Sequence, residues 1–264
     1  MAAAAAAGVD VIAITDHDTT AGWDQALAAR PDGLTVVRGT EFSCVYRPDD
    51  AHRIGLHLLG YLFDPEDVAL RAERVRLRET RATRARTMVD RMAADGIPIT
   101  WAQVQAIAAG GPLGRPHIGR ALVQADVVPD VDTAFRDLLS SRRPYYVRKA
   151  DLDVFDAIRL LRGAGGLPVF AHPIARRRGP VVPDEVIARM AAAGLVALEV
   201  DHPDQDSDDR AHAAALARDL GLIGTGSSDY HGSNKPTPIA VCTTPRDAYE
   251  ALIALPSALE PVGP

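Results

Sequence analysis

The sequence predicts an α/β protein built on a barrel or barrel-like sheet. Short β-branched or apolar runs alternate with helical patterns, which is how successive parallel β/α units are written in sequence. About seven such runs occur along 264 residues, the length of one large domain or a domain carrying an insertion. From about residue 65 to residue 148 the strand signal gives way to helical spacing, which places the insertion.

The chain opens MAAAAAAG, where alanine, the best helix former, precedes a glycine suited to the residue just past a helix end. This reads as the last turns of a helix whose beginning is absent, and it lacks the basic and long apolar regions of a signal peptide. Strands are expected over residues 9–15, 34–38 and 55–62. The helical insertion, residues 66–148, then begins. In it Ala85, Met88, Val89 and Met92 recur at helical spacing, and Thr100-Trp101-Ala102-Gln103 forms a capping-box pattern. Eight arginines between Arg71 and Arg91 stand against Glu73, Glu79 and Asp90, and a solvated helix face is preferred to an oligonucleotide-binding surface. Strands resume over residues 167–171, 195–200, 222–225 and 239–243. The helices between them have legible ends: Gly165-Gly166 closes residues 153–162, Pro183-Asp184-Glu185 opens a helix stopping at Gly194, and residues 206–209 open one stopping near Gly221. The barrel therefore comprises residues 1–65 and 149–264.

With 47% hydrophobic and 24% charged residues, the composition excludes disorder and a disulfide scaffold. No apolar run approaches the ~18 residues of a membrane span. Cys44 and Cys242 make no C-x-x-C pair, so a thiolate metal knuckle and a redox motif are excluded and a cytoplasmic location is expected. A net charge of −6 argues against broad nucleic-acid coating.

The chemistry lies in where the histidines fall. His17 follows the first strand, Glu41 the second, His172 the strand over 167–171, His202 the strand over 195–200, and Asp229 and His231 the strand over 222–225. In parallel β/α architectures the loops leaving the strand C-termini converge, so these side chains are expected to meet. His57 lies inside its own strand, where alternation can point it inward. Imidazoles and carboxylates without cysteine are a ligand set for Mn, Fe or Zn. One such histidine would be read as a satisfied core residue; the group points to a metal site.

The runs Ile14-Thr15-Asp16-His17-Asp18-Thr19-Thr20-Ala21-Gly22, Gly39-Thr40-Glu41-Phe42-Ser43, His57-Leu58-Leu59-Gly60, Gly114-Arg115-Pro116-His117-Ile118, Phe170-Ala171-His172-Pro173 and Gly226-Ser227-Ser228-Asp229-Tyr230-His231-Gly232 together resemble the polymerase-and-histidinol-phosphatase (PHP) family. The branch they resemble acts on nucleoside 3′,5′-bisphosphates and short RNA 5′ ends. The resemblance implies a distorted (β/α)7 barrel with a helical insertion, holding two to three divalent ions, Mn or Fe and sometimes Zn. It makes His17, Glu41, His57, His172, Asp229 and His231 metal ligands, with Glu41 bridging two ions, and turns Arg115 and His117 toward substrate phosphates. Asp16, His17 and His202 are the candidate catalytic residues. Asp16 is open between ligation, proton transfer and orienting a histidine, and His202 between substrate contact and a surface position. Arg115-Pro116-His117 is also an acceptable helix start with Pro at its first position. His52 and His212 match no motif and are expected at the surface.

Family members begin with a strand carrying Asp-Leu-His-x-His, then Ser-Asp-Gly and a helix; residues 2–8 match only the helix end. The first β/α unit is thus expected to be largely missing, with three usual ligands, and fewer ions to be held in this chain. A start codon placed too far downstream is preferred to a real truncation. The resemblance implies hydrolysis of nucleotide phosphate monoesters by metal-activated water. Arg115, Arg148 and Lys149, joined by Arg143 if it is not simply a solvated turn residue, offset the acidic net charge locally. The substrate is a small phosphorylated nucleotide or short oligonucleotide, with no membrane and no obligatory protein partner. Alternatives are a catalytically impaired fragment that binds nucleotide or a partner, a histidinol-phosphatase-like enzyme, and a carbon–nitrogen hydrolase; the last has no use for a phosphate clamp.

Overall fold

A computed structural model describes residues 1–49, 52–109, 111, 113–148, 151–232 and 236–263. The elements begin with α1 (Ala2–Ala6), β1 (Val11–Ile14), α2 (Trp23–Ala28), β2 (Thr35–Tyr46) and β3 (Ile54–Tyr61). Then come α3 (Val68–Ala94), α4 (Trp101–Ala108), α5 (Arg115–Gln124) and α6 (Val131–Ala134), which runs on into a π-helical turn over Phe135–Leu139. The chain closes with β4 (Leu152–Asp153), α7 (Val154–Gly163), β5 (Leu167–Phe170), a 3-10 turn (Arg176–Arg178), α8 (Asp184–Ala192), β6 (Ala197–Asp201), α9 (Ser207–Asp219), β7 (Ile223–Gly226) and α10 (Arg246–Ile253). Two compact units result, Met1–Ala72 with Asp151–Pro264, and Glu73–Ala150.

The first unit holds a mixed sheet in the order β1-β2-β3-β5-β6-β7, with β4 beside β2, curled into a half-barrel. The β1/β2, β2/β4, β5/β6 and β6/β7 pairs are parallel, whereas β3 is antiparallel to both β2 and β5. This corrects the expectation of uniformly parallel β/α units. Residues 47–53 are too few for a parallel crossover, which takes about a dozen residues, so β2 turns back on itself into β3. Two further differences have physical causes. The second strand runs to Tyr46 instead of ending at Arg38, because it is buried on both faces from Thr40 to Val45 and shows no alternation to read. Residues 239–243 form turns, and the remaining strand is β4, two residues long and below what a pattern can show.

Register builds the floor of the site. Leu59 pairs with Val169, Val169 with Ala197, and Ala197 with Ile223, an apolar row across four strands that packs against Leu252 of α10. Because side chains alternate with a period of two, His57 and Glu199 lie on the same face as Leu59 and Ala197, one step further along their strands. A buried apolar layer therefore underlies a polar one.

The second unit is helical. Its core gathers Met88 and Met92 of α3, Val104 of α4, Ile118 and Leu122 of α5, and Leu139. The capping box at the start of α4 is present in both halves: Gln103 N–H donates to Thr100 Oγ1 at 3.3 Å and Thr100 N–H to Gln103 Oε1 at 2.8 Å. Pro116 takes the second position of α5, one later than expected, with Gly114 as the N-cap.

Candidate metal centre

The loop leaving β1 is tied across to β2. His17 bridges to Glu41 in parallel fashion, Asp18 N–H donates to the Glu41 carbonyl at 3.1 Å, and the buried Asp18 carboxylate accepts Ser43 N–H at 2.8 Å and its hydroxyl at 3.1 Å. Ser43 is in turn the register partner of His57 on β3. His172 stands two residues past β5, and Asp229 three past β7. Asp18, His172 and Asp229 all have positive φ, at 56°, 35° and 48°. Such backbone is uncommon outside glycine, persists where surrounding contacts enforce it, and clusters at functional sites.

These turns bring the imidazoles into a chain of ring contacts. His231 to His17 is 6.4 Å between centroids, His17 to His57 5.0 Å, His57 to His172 5.2 Å, and His172 to His202 5.2 Å. Glu41 lies against three of them with different oxygens. Its Oε1 is 2.6 Å from His57 Nδ1 and 3.6 Å from His172 Nε2, and those two nitrogens are 3.2 Å apart. Its Oε2 is 3.6 Å from His17 Nδ1, a buried nitrogen with no hydrogen-bond partner among the described residues. A second group joins His202, Asp204 and Asp229, whose candidate ligand atoms lie within 4.8 Å of one another.

The chain is 32% identical over 230 residues to a 5′-3′ exoribonuclease of Haemophilus influenzae, covering 86% of this chain and 81% of that protein. It is also 32% identical over 235 residues to the 3′,5′-nucleoside bisphosphate phosphatase of Chromobacterium violaceum, covering 86% and 79%. The chain belongs to this family of bacterial phosphoesterases. In structure it is similar to a Bifidobacterium adolescentis protein described as a metal-dependent phosphoesterase, with a TM-score of 0.89 and 34% identity over 95% of this chain and 87% of that one. No family model matches.

The electrostatics suit a metal-dependent phosphoesterase. Burial pushes the Glu41 carboxyl up, but the facing His17 and His57 outweigh it and hold the group well below the usual carboxylate range. Burial brings His57 down to about 4 and also lowers His172, so both imidazoles are neutral and their lone pairs can ligate. Glu199 behaves oppositely: burial, reinforced by the charges of Glu41 and Asp229, lifts it to about 8 against the His172 N–H that favours its anion. Arg178 spans Asp204 and Asp229, 2.5 Å from an oxygen of each; burial disfavours its charge, and the two carboxylates outweigh that.

Of the residues expected from sequence, the structure gathers His17, Glu41, His57, His172 and His202 directly. Asp229 and His231 adjoin them, with His231 Nδ1 2.7 Å from the Asp229 carbonyl and 3.3 Å from its Oδ1. Asp16 is exposed, and its side chain joins neither group of candidate ligands among the described residues. His202 is buried at 1% exposure, which corrects the surface alternative for it. His52 and His212 are exposed and each pairs with an aspartate, Asp49 and Asp184. Arg115 and His117 belong to the second unit. There Arg115 donates to the Leu139 carbonyl at 3.2 Å and lies over the Phe135 and Tyr146 rings, while His117 Nδ1 accepts Gly114 N–H at 3.2 Å. Burial lowers both pKa values. Arg148 is exposed, and Lys149 lies outside the described residues.

Sequence reasoning missed Asp18, Arg178, Asp204, Gln205 and the inward role of Glu199. Glu199 alone carried a signal, as a carboxylate inside an otherwise apolar strand at the alternation phase of Ala197. The others act through loops whose course no periodicity encodes.

Proposed function

We propose that this phosphoesterase hydrolyses phosphate monoesters of nucleotides, either nucleoside 3′,5′-bisphosphates or short RNA 5′ ends. Its centre is formed by His17, Glu41, His57, His172, Asp229 and His231. The observation that carries this reading is the packing of Glu41 Oε1, His57 Nδ1 and His172 Nε2 at 2.6, 3.2 and 3.6 Å from one another. Donors bound to one ion at ~2.0–2.2 Å stand roughly 3 Å apart, so these atoms already lie near the spacing of a coordination shell. The N/O donor set fits Mn, Fe or Zn, with fewer ions held in this chain than the two to three of a complete family member. Such ions, when bound, supply Lewis-acid polarisation of the phosphate and an acidified water.

The remaining work belongs to the chain. Glu41 offers one oxygen to each side of the centre and so suits a bridging position. His202 Nδ1 accepts the Asp204 N–H at 3.0 Å, so Nε2, 3.8 Å from Asp229 Oδ2, is the ring nitrogen left to face the centre. That nitrogen has no hydrogen-bond partner among the described residues and can serve a phosphate oxygen. Asp16, on the loop of His17 but open to solvent, suits proton exchange better than ligation. Arg115 and His117 are assigned to the substrate phosphate, where a planar guanidinium fork matches a dianion. The PHP resemblance supports treating the first unit as a distorted (β/α)7 barrel and residues 66–148 as its helical insertion.

The test is a substrate panel of adenosine 3′,5′-bisphosphate, a 5′-phosphorylated RNA trimer and histidinol phosphate, each with added Mn and with chelator, assayed for inorganic phosphate and, with the trimer, for released mononucleotide as well. Metal-dependent turnover of either nucleotide substrate above histidinol phosphate is the expected result. Turnover of histidinol phosphate alone would transfer the enzyme to the other branch of this chemistry.

A further inference from the structure

We infer that Glu199 and Gln205 form a buried polar clamp that positions His172. The inference rests on the reading of His172 as a metal ligand and deepens it. Both clamp residues are nearly inaccessible, at 3% and 2% exposure. His172 N–H donates to Glu199 Oε2 at 2.7 Å, and two residues on, Ile174 N–H donates to Gln205 Oε1 at 2.8 Å. The other end of the Gln205 amide is also engaged: Nε2 donates to the Val200 carbonyl at 2.7 Å and the Glu199 carbonyl at 3.2 Å. One glutamine thus staples the end of β6 to the turn that follows β5.

The turn needs such support. β5 ends at Phe170, whose register partner on β6 is Leu198; Ala171 N–H still reaches the His57 carbonyl of β3 at 3.2 Å, and the next amide, that of His172, turns to a side chain. His172 then adopts φ 35°, a left-handed conformation that favours glycine, and its amide meets the buried Glu199 side chain of β6. An unpartnered buried N–H there would be costly, and the side chains one strand over accept both amides. With the backbone fixed at 172 and 174, the imidazole is carried to Glu41 and His57. Glu199 works here as a hydrogen-bond acceptor, a role that an amide oxygen fills as well as a carboxyl oxygen does. A ligand or a proton donor could not be replaced in that way.

The experiment compares wild type, Glu199→Ala, Glu199→Gln, Gln205→Ala and His172→Ala for Mn affinity by calorimetry, with turnover of adenosine 3′,5′-bisphosphate alongside. Loss of a group that orients a ligand costs typically 10–100-fold in metal affinity, so Glu199→Ala and Gln205→Ala should fall by about that factor while Glu199→Gln stays within about threefold of wild type. The same order is expected in kcat, with KM little changed. If Glu199→Ala does not fold, Gln205→Ala and the Glu199→Gln rescue carry the same comparison. Equal damage from Glu199→Gln and Glu199→Ala would overturn the proposal, because the carboxylate itself would then be in use. So would wild-type affinity in both alanine variants while His172→Ala loses Mn. Wild-type affinity in His172→Ala would instead remove the ligand reading on which the clamp stands, and the clamp with it.

Discussion

Glu41 and Glu199 lie on neighbouring parts of one polar layer and are driven to opposite protonation states. Glu41 is held as an anion by the imidazoles around it; Glu199, facing like charges in a buried position, stays protonated up to about pH 8. The second shift has a measurable sign. Between the usual glutamate value of 4.5 and about 8 the folded chain keeps a proton that the unfolded chain has released, so Glu199 makes the fold less stable as pH rises through that window. Glu199→Gln does not titrate. In chelated protein, the melting temperature of Glu199→Gln minus that of wild type should therefore increase from pH 4.5 to pH 8 and level off above it, as followed by circular dichroism. A constant difference across the window would show that Glu199 is ionised in the fold.

At the scale of elements, the sequence told where strands end better than how they run. The histidines after β1, β5 and β6 were legible because a polar residue stopping an apolar run marks a strand C-terminus, and that is where side chains converge. The antiparallel course of β3 was not, since direction is set by the seven-residue connection and leaves no trace in periodicity. The length of β2 was hidden by burial of Thr40, Glu41 and Ser43, polar residues whose partners are side chains and loops distant in sequence. The end of β7 supplies a test. A Cβ on Gly226 would lie 2.4 Å from the Thr243 carbonyl oxygen, a backbone atom that no rotamer change can move. Gly226→Ala should force the loop bearing Asp229 and His231 outward, lowering stability by roughly 1–3 kcal/mol in urea unfolding and weakening Mn binding along with it. Unchanged stability and unchanged metal affinity would show that the strand and its loop yield freely at this point.

Over the whole molecule, the two units carry different side chains. The first gathers the histidines and carboxylates around Glu41, and in the second Arg115 lies over Phe135 and Tyr146. If Arg115 contacts substrate phosphate, Arg115→Ala should raise KM for adenosine 3′,5′-bisphosphate about tenfold or more, in line with the loss of a charge-assisted hydrogen bond, and leave bound Mn unchanged. Steady-state kinetics with parallel elemental analysis reads both quantities, and an unaltered KM would remove Arg115 from the substrate site. The clustering of metal-ligand residue types was legible from strand ends alone, but the polar supports beneath it were not, because Asp18, Gln205 and Arg178 act through contacts between loops and strands distant in sequence. The central claim is that the layer around Glu41 is a divalent-metal centre performing phosphate hydrolysis. Its most direct measurement is phosphate release by chelated wild type and Glu41→Gln, each titrated with Mn. Wild type should regain activity with added Mn, and Glu41→Gln, which keeps size and loses the shared charge, should remain at least ~100-fold slower at saturating metal. Equal recovery by both, or activity in wild type that never depended on the ion, would contradict the account.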